Sequence, residues 1–186
     1  AELNAKYFRI DLREPKSIEE AFSQARKEID SIQALLLVSG KVENHNLSSI
    51  DLNTWNEIIS VNLSGFFLSV KSAESWIRES GRIVTLGSMA GHQASAVTGP
   101  AYAASKGGIE SFTKYLSRYF APRKITANCI APGPVETPML EAHNKQVLSK
   151  IKSSIPLNRF ATAKEIASAA LYLCSEDAAY ITGTVL

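Results

Sequence analysis

The sequence predicts an α/β fold, with a parallel sheet that is covered by helices on both faces. Short apolar runs alternate with longer segments of helical periodicity along all 186 residues. Several runs are apolar at every position, as in strands that are buried on both faces, and glycine or polar residues follow them directly. No repeat, low-complexity tract or linker interrupts this order, so we predict a single domain over residues 1–186.

Five segments have the character of strands. They lie at residues 7–10, 34–38, 82–86, 124–130 and 181–186. The second segment, A-L-L-L-V, has no polar face, which is typical of a parallel strand between two layers of helices. Because ligands bind beyond the carboxyl ends of the strands in open parallel sheets, we expect the residues that follow these strands to form the site.

Helix starts are predicted from capping boxes and from one proline. The capping boxes are Ser17 with Glu20, Thr54 with Glu57 and Thr162 with Glu165, and Pro100 is suited to the first turn of a further helix. Two of these helices carry an apolar stripe at helical spacing. The stripes are Ile59, Leu63, Phe66 and Val70 in the helix from Thr54, and Ile109, Phe112, Leu116 and Phe120 in the helix from Pro100.

Composition and charge argue against several classes of protein. The net charge is +2 and the basic residues are scattered, so there is no electrostatic case for nucleic acid or an anionic membrane. No apolar run approaches the roughly 20 residues of a membrane span, and no signal peptide is visible. Cys129 and Cys174 stand in apolar surroundings, which favours free thiols in a reducing, cytoplasmic compartment, and three dispersed histidines predict no metal site.

Four polar residues are candidates for chemistry. Tyr102 and Lys106 stand four positions apart on the helix that Pro100 begins, so their side chains share a face. Ser88 follows a strand and a glycine, and its hydroxyl is suited either to hold a substrate oxygen or to cap a turn. Asn62 lies within a helix, where its amide either bonds the backbone or holds a water chain.

The tyrosine–lysine pair is suited to proton transfer. A free tyrosine has a pKa of about 10, which is too high for a base at neutral pH. An ammonium about 4 Å away in a partly screened site is able to bring this pKa to about 7. We therefore expect Lys106 to lower the pKa of Tyr102. An isolated pair at this spacing is more often an aromatic and a solvated lysine on a helix surface, so the interpretation depends on the other motifs.

Taken in order, these residues resemble the short-chain dehydrogenase/reductase family over nearly the whole chain. The motifs are V-N-L-S-G-F-F around Asn62, G-R-I-V-T-L-G-S ending at Ser88, A-Y-A-A-S-K with Tyr102 and Lys106, A-P-G-P-V-E-T-P, R-F-A-T-A-K-E-I-A and Y-I-T-G. The sequence looks most like the 3-oxoacyl-carrier-protein reductase branch and its sugar- and polyol-oxidising relatives. The resemblance implies a Rossmann-like doubly wound parallel sheet and an NAD(P)-dependent oxidoreductase that interconverts a carbonyl and an alcohol.

The resemblance also implies roles for individual residues. Tyr102 would be the general acid–base, Lys106 would lower its pKa and bond the nicotinamide ribose, and Ser88 would orient the substrate carbonyl. Asn62 would hold a water that links Lys106 to solvent. The other contacts to NAD or NADP would come from Asp11 and Leu12 at the adenine, from Ser39 and Gly40 where the ribose approaches, and from Pro132, Gly133, Val135 and Thr137 around the nicotinamide.

Two departures from the family pattern stand out. The family usually has N-N-A-G after the second of the predicted strands, whereas residues 37–40 are L-V-S-G, so the bracing bonds of two amides must be made otherwise. The Gly-rich phosphate loop and the family's first two strands have no counterpart in this sequence. We therefore expect an incomplete sheet with open edges at residues 7–10 and 34–38, and hypothesise that the chain is a portion of a longer enzyme.

Further expectations concern the substrate, the assembly and the alternatives to an enzyme. Residues 91–99 contain no fixed charge apart from His92, which favours a small carbonyl or alcohol substrate with a neutral reacting end. Residues 138–160 suit either a mobile lid or a plain connecting helix. The resemblance implies a homodimer or homotetramer through the helices from Thr54 and Pro100. The alternative functions are a non-catalytic nucleotide-binding relative and an inert truncated product.

Overall fold

Three parallel strands form the sheet, in the order β1 (Ile32–Leu37), β2 (Ile77–Leu86) and β3 (Thr126–Ile130). The computed structural model describes residues 5–93, 97–141 and 144–186. β2 lies in the centre and pairs with both neighbours in the same direction, with Ile83 beside Leu35 on one side and Ala127 on the other. The predicted parallel sheet is therefore confirmed.

The predicted final strand, residues 181–186, extends the sheet beside β3 as an isolated bridge between Val185 and Cys129. Towards the start of this segment a side chain makes the contact, because Asn128 Nδ2 donates to Ile181 O at 2.8 Å. The predicted position of this segment in the sheet is therefore confirmed. Regular backbone pairing is confined to the last residues, since side-chain bonds replace part of the ladder.

Residues 7–10, predicted as the first strand, form no strand in the structure. Tyr7 is 86% exposed and Ile10 is 40% exposed. This prediction was wrong because a strand needs a neighbouring strand, and none of the described strands pairs with this segment. β1 is likewise open along one edge, where Leu36 and Val38 are 42% and 57% exposed, as predicted for an incomplete sheet.

The α-helices of the described ranges are α1 (Pro15–Glu28), α2 (Leu52–Ile59), α3 (Gly65–Ala73), α4 (Pro100–Tyr119), α5 (Pro138–Glu141), α6 (Lys145–Ser154) and α7 (Ala163–Cys174). A π-helical segment, Ser60–Ser64, joins α2 to α3. Short 3₁₀ turns occur at Met89–Gly91 and Ala121–Arg123. Among the described helices, none has both the length and the apolar composition that a bilayer crossing needs.

The capping box predicted at the start of α7 is confirmed. Thr162 Oγ1 accepts a hydrogen bond from Glu165 N at 3.3 Å, and the Glu165 carboxylate accepts one from Thr162 N at 2.8 Å. Arg159 adds an ion pair to the same carboxylate. The start of α7 is therefore fixed by residues that are close together in the sequence.

The other two predicted capping boxes are wrong, because a stronger start signal lies upstream of each. α1 begins at Pro15, whose ring fixes the backbone angle of the first turn, and Ser17 Oγ accepts from Asp11 N instead. α2 is capped by Asp51, whose carboxylate accepts from Thr54 N at 2.7 Å. Both helices exist as predicted, but they start earlier.

Helices cover both faces of the sheet, as a doubly wound arrangement requires. Ile83 on β2 packs in the larger apolar cluster, with Phe66 of α3 and Ile109 of α4. The next residue, Val84, packs on the other face in a smaller cluster with Leu173 of α7. All five side chains are almost completely buried. Because successive strand residues point to opposite faces, the central strand anchors both helical layers.

Candidate active site

The segments that follow the strands meet at one edge of the sheet, as predicted. Directly after β2, Gly87 N donates to Ile130 O at 2.7 Å, which joins the end of β2 to the end of β3. Gly40, just beyond β1, lies beside α4: a Cβ at this position would be 3.4 Å from Lys106 Nζ. Three segments that are distant in the sequence therefore border one region.

The first turns of α4 bring Tyr102 and Lys106 to this edge. Pro100 occupies the start of the helix, and the two side chains project from the same face one turn apart. Lys106 Nζ lies 5.6 Å from the centre of the Tyr102 ring, and the Ser88 hydroxyl lies near enough to the Tyr102 phenol to lower its pKa. The structure therefore brings the two hydroxyls and the amine together.

Lys106 carries its charge in a buried position. Its side chain is buried at this edge of the sheet, where Nζ donates to Leu86 O at 2.7 Å and lies 6.0 Å from the centre of the Phe66 ring. Burial lowers the pKa of Lys106 to about 8, because removing the ammonium from water disfavours the charged form. The amine is still mostly protonated at neutral pH.

The environment of Tyr102 corrects the predicted direction of its pKa. Burial raises the pKa of this phenol, and the nearby Ser88 hydroxyl offsets only part of that effect. The expectation that Lys106 brings the pKa of Tyr102 below its usual value is therefore wrong for this structure. The free-energy cost of removing the phenolate from water exceeds the stabilisation that the neighbouring polar groups provide. The same burial also disfavours the charged form of Lys106.

Asn62 is fully buried within the π-helical segment and bonds the loop after β1. Its Oδ1 accepts from Lys41 N at 2.8 Å and its Nδ2 donates to Lys41 O at 2.8 Å. Nδ2 also donates to Ser105 Oγ on α4 at 3.0 Å. Of the two predicted uses of this amide, the structure has the bond to the backbone. π-Helical segments often occur at functional sites, because they turn side chains out of the regular helical register.

Two glycines hold the segment that carries Ser88 close to α4. A Cβ on Gly91 would lie 2.7 Å from Gly107 N, and a Cβ on Gly107 would lie 2.9 Å from Gly91 O. Ser88 Oγ also accepts from Ala90 N at 3.2 Å. Of the two predicted uses of the Ser88 hydroxyl, the structure has the turn cap, and the contact with a substrate oxygen stays a prediction.

The expected substrate loop and the expected lid lie partly outside the described residues. Of residues 91–99, positions 94–96 are outside the described ranges, and His92 pairs with Glu110 of α4 at 3.0 Å between Nδ1 and Oε1. Of residues 138–160, positions 142–143 are outside them, and the rest contains α5 and α6. The choice between a lid and a connecting segment stays a prediction.

Asp11 and Leu12, predicted at the adenine, lie at the start of a chain of ion pairs. Arg13 binds the Asp11 carboxylate through Nη2 at 2.6 Å and Nε at 3.0 Å, and these hydrogen bonds hold the pKa of Asp11 at about 2. Arg13 also approaches Glu57 at 3.7 Å, and Glu57 pairs with Lys41 at 2.6 Å. Leu12 packs against the larger apolar cluster. Asp11 is thus linked to the loop that Asn62 binds.

The segment after β3 leaves open space beside the strand ends. Among the described residues, nothing lies within 4 Å of the position that a Cβ on Gly133 would take. Pro132 O accepts a backbone hydrogen bond from the Ser88 segment at 3.0 Å, and Thr137 Oγ1 donates to Val135 O at 3.4 Å. Ser39, beyond β1, is exposed. Of the predicted contact residues after β1 and β3, Ser39 and Gly133 are therefore accessible. Pro132 and Thr137 take part in hydrogen bonds with backbone groups.

These residues fit the ribose and nicotinamide end of a dinucleotide. Lys106 donates one N–H to Leu86 O and has no second acceptor among the described residues, so two of its three N–H groups are available to a diol. Gly40 and Gly133 leave the space that side chains would fill. In residues 1–186 no Gly-rich loop follows a strand, so this chain supplies no such backbone cradle for the phosphates.

Glu43 is a residue of this edge that the sequence analysis missed. Its buried carboxylate accepts hydrogen bonds from the first turn of α4. The available signal was Gly99 in front of Pro100, because a helix start without a capping side chain needs a partner from elsewhere. The carboxylate itself, in a polar loop, gave no sign of burial.

The chain is similar to known proteins over its whole length. The sequence model of the family described as Enoyl-(Acyl carrier protein) reductase matches residues 1–186. The 3-oxoacyl-(acyl-carrier-protein) reductase FabG of Salmonella typhimurium is 37% identical over 186 residues, which are 98% of this chain and 75% of that protein. FabG of Aquifex aeolicus is 36% identical over 179 residues, which are 95% of this chain and 72% of that protein.

A solved structure has the same arrangement of elements. The crystal structure of a blue fluorescent protein from a metagenomic library, in complex with NADPH, superposes with a TM-score of 0.90. The two sequences are 26% identical, and the match covers 95% of this chain and 71% of that one. The strand order and the helices on both faces are therefore those of a known architecture.

Proposed function

This chain belongs to the short-chain dehydrogenase/reductase family, and we propose that it catalyses the NAD(P)-dependent interconversion of a carbonyl and an alcohol. The observation that carries this proposal is the position of the Lys106 amine, 5.6 Å from the centre of the Tyr102 ring, with the Ser88 hydroxyl near enough to the phenol to affect its pKa. When bound, the nucleotide supplies or accepts the hydride. The protein supplies the proton and fixes the position of the reacting groups.

Tyr102 donates a proton to the substrate oxygen in the reductive direction. The raised pKa of Tyr102 keeps the phenol protonated at neutral pH, which is the form that a proton donor requires. Ser88, whose hydroxyl lies near the phenol, bonds the same substrate oxygen. Lys106 carries a positive charge below its pKa of about 8 and bonds the ribose diol, so it stabilises negative charge that develops near Tyr102.

The substrate and cofactor are assigned from the relatives. Both FabG relatives are named as 3-oxoacyl-(acyl-carrier-protein) reductases, so a 3-oxoacyl thioester is the first substrate to test, with sugar and polyol carbonyls second. The similar blue fluorescent protein binds NADPH, which favours NADP over NAD. In this assignment Asp11 and Leu12 contact the adenine, Ser39 and Gly40 border the ribose, and residues 132–137 border the nicotinamide.

We further assign a single domain, a cytoplasmic location and a homodimer or homotetramer. Support for assembly comes from an aromatic surface on α3 and α4, where Phe67, Tyr115 and Tyr119 are about half exposed. Phe112 stacks on Tyr115, which stacks on Tyr119, and the Phe67 ring meets Phe112 edge-on. A second copy of the same helix pair would cover these rings. Analytical ultracentrifugation tests this, and a monomer at micromolar concentration contradicts it.

The experiment that tests the function follows the absorbance of the reduced nicotinamide with the full-length protein and a panel of 3-oxoacyl thioesters, ketones and sugars. Tyr102→Phe is expected to lower kcat by about 10²–10⁴-fold, because the proton donor is lost while the ring remains. Tyr180→Phe is the matched control, since Tyr180 is fully exposed. Equal turnover by the wild type and Tyr102→Phe contradicts the role of Tyr102. If the protein shows no turnover with any cofactor, the proposed enzymatic function is contradicted.

A further inference from the structure

Glu43 is a buried carboxylate that the proposed chemistry does not use. It lies in the loop between β1 and α2, and its side chain is only 4% exposed. A charge in such a position needs hydrogen-bond partners, since burial without them is costly. The partners are backbone groups: Oε1 accepts from Ala101 N at 3.1 Å and from Tyr102 N at 3.2 Å, and Oε2 accepts from His45 N at 2.8 Å.

These bonds give α4 the cap that its own sequence lacks. The first N–H groups of a helix have no partner within the helix, and the residue before the helix usually supplies one with its side chain. In α4 that residue is Gly99, which has no side chain. Glu43 bonds the second and third residues of the helix, which are the positions that a capping side chain normally serves. The negative charge also suits the N-terminal end of the helix dipole.

Gly99 and Glu43 fit each other closely. A Cβ on Gly99 would lie 1.9 Å from Glu43 Oε2 and 2.3 Å from its Cδ, so any larger residue at position 99 would displace the carboxylate. The φ angle of Gly99 is −88°, which every residue adopts, so this glycine is required for space and not for conformation. Gly99 N also donates to the backbone oxygen of Glu43 at 2.8 Å.

The loop that carries Glu43 is fixed at a second point. Asn62 bonds both the N–H and the carbonyl of Lys41 at 2.8 Å, two residues before Glu43. The loop is therefore tied to Asn62 at Lys41 and to the backbone of Tyr102 at Glu43. These contacts brace the segment after β1, where the family's two amides are replaced by L-V in L-V-S-G.

We infer that Glu43 is a positioning residue for the reaction: by bonding the Tyr102 backbone it sets the start of α4, and with it the Tyr102 side chain, relative to the loop that Asn62 holds. This inference rests on the proposed function. Glu43 does not touch the reacting atoms. It acts through Tyr102, and its loss moves the phenol relative to Ser88 and Lys106, where displacements of about 1 Å are enough to lower the rate substantially.

The first test compares Glu43→Ala with Glu43→Gln in the full-length protein. Glu43→Ala is expected to lower kcat by about 10–100-fold, with KM for cofactor and substrate changed by less than about 3-fold, because only positioning is lost. Glu43→Gln keeps an oxygen that accepts from Ala101 N and Tyr102 N, so kcat is expected within about 3-fold of the wild type. A rise in KM without a fall in kcat contradicts the inference.

The second test separates positioning from simple capping of the helix. The double variant Glu43→Ala with Gly99→Asp supplies a local cap at the helix start, in the space that the Glu43 carboxylate leaves. We expect this variant to regain the thermal midpoint of the wild type while kcat stays low, because the loop is no longer tied to Tyr102. Recovery of kcat together with stability shows that Glu43 is only a cap, and overturns the inference.

A third readout does not depend on turnover. Hydrogen exchange of the Ala101 and Tyr102 amides is expected to be about 3–30-fold faster in Glu43→Ala than in the wild type, while exchange at Ile109 stays unchanged. Unchanged exchange at both amides overturns the inference. If the wild type shows no turnover at all, the proposed function fails, and this readout still decides whether Glu43 holds the start of α4.

Discussion

The two ends of α4 are held in place by different kinds of contact. At the N-terminal end, residues 100–106, the two longest buried side chains are polar: beside the small Ala101, Ser105 and Lys106 are at most 3% exposed. Asn62 Nδ2 donates to Ser105 Oγ at 3.0 Å, and Lys106 Nζ donates to Leu86 O at 2.7 Å. Asn62 and Leu86 are both remote from α4 in the sequence. Each of these two hydrogen bonds replaces bonds that water makes to the same groups in the unfolded chain.

At the C-terminal end, residues 109–120, the largest of the buried side chains are apolar, although Glu110, Thr113 and Ser117 are buried as well. Ile109, Leu116 and Phe120 are at most 2% exposed and belong to the larger apolar cluster. Burial of such side chains is the main stabilising contribution in a fold, whereas buried polar contacts contribute little net free energy. The difference teaches that the apolar end anchors the helix, and that the candidate chemistry occupies the end whose contacts add little stability.

The largest expected effect is on stability, at the apolar end. Phe120→Ala removes a ring that is 1% exposed, so it should lower the free energy of unfolding by about 3–5 kcal/mol. The kcat of the molecules that remain folded should change by less than about 3-fold, since Phe120 lies more than three turns from Tyr102. Urea unfolding and kcat measured well below the unfolding transition check both parts.

Lys114→Ala is the matched control for this prediction. Lys114 lies on the same end of α4 but is exposed, so its truncation should change the free energy of unfolding by less than about 0.5 kcal/mol. A similar loss of stability in both variants would show that the helix end is sensitive for a reason other than apolar burial. The contrast between the two ends would then be lost.

The second expected effect is on activity, at the polar end. Lys106→Met keeps the volume of the side chain and removes its charge, so kcat should fall by about 10²–10³-fold, while stability falls by no more than about 1 kcal/mol. Stability is expected to survive because an ammonium that is 3% exposed is costly to bury. Lys114→Met is the control for activity. A loss of several kcal/mol in Lys106→Met would mean that this end also anchors the fold.

The difference between local and remote contacts also decides which features could be predicted from the sequence and which could not. The predicted apolar stripe of Ile109, Phe112, Leu116 and Phe120 follows from helical spacing, and the structure buries three of the four, while Phe112 is only partly buried. The capping box of Thr162 and Glu165 is confirmed because both partners are local. Local features could therefore be predicted where no competing signal lies nearby, whereas the capping boxes at Ser17 and Thr54 were wrong because Pro15 and Asp51 start those helices.

Features that depend on remote partners could not be predicted in this way. Glu43 caps α4 from another loop, and no local pattern connects it to Gly99. Asn62 lies in a π-helical segment, which a spacing of 3.6 residues does not anticipate. The pKa of Tyr102 was expected to be lowered by Lys106, but burial raises it, and burial depends on the whole fold. The residue types of the site were visible in the sequence, whereas their environment was not.

A third prediction uses pH to test the polar end. The pKa of Lys106 is about 8 in the folded protein and 10.5 without burial, so the unfolded state binds more protons between these values. The free energy of unfolding should therefore rise with pH through this window, by about 3 kcal/mol from this residue. Urea unfolding of the wild type and Lys106→Met at a series of pH values isolates the contribution as a difference. Parallel pH curves for the two proteins would contradict the burial of the charge.

The smallest expected effects come from two matched hydroxyls, one in each half of α4. Ser105 Oγ donates to Tyr102 O at 2.8 Å and accepts from Asn62 at 3.0 Å. Thr113 Oγ1 lies 2.7 Å from Thr85 Oγ1, on the central strand. Ser105→Ala and Thr113→Val each remove one buried hydroxyl, so each should lower the free energy of unfolding by about 1–2 kcal/mol.

The two variants should differ in activity although they match in stability. Ser105→Ala frees one N–H of Asn62, so the loop that Asn62 holds becomes less fixed beside Tyr102, and kcat should fall by about 3–10-fold. Thr113→Val loosens a contact that has no link to Tyr102, so kcat should stay within about 2-fold of the wild type. Steady-state kinetics and urea unfolding on the same preparations measure both quantities. Equal losses of kcat would show that any buried polar defect along α4 reaches the phenol, because the helix then moves as one rigid body and its two ends are not separate in function.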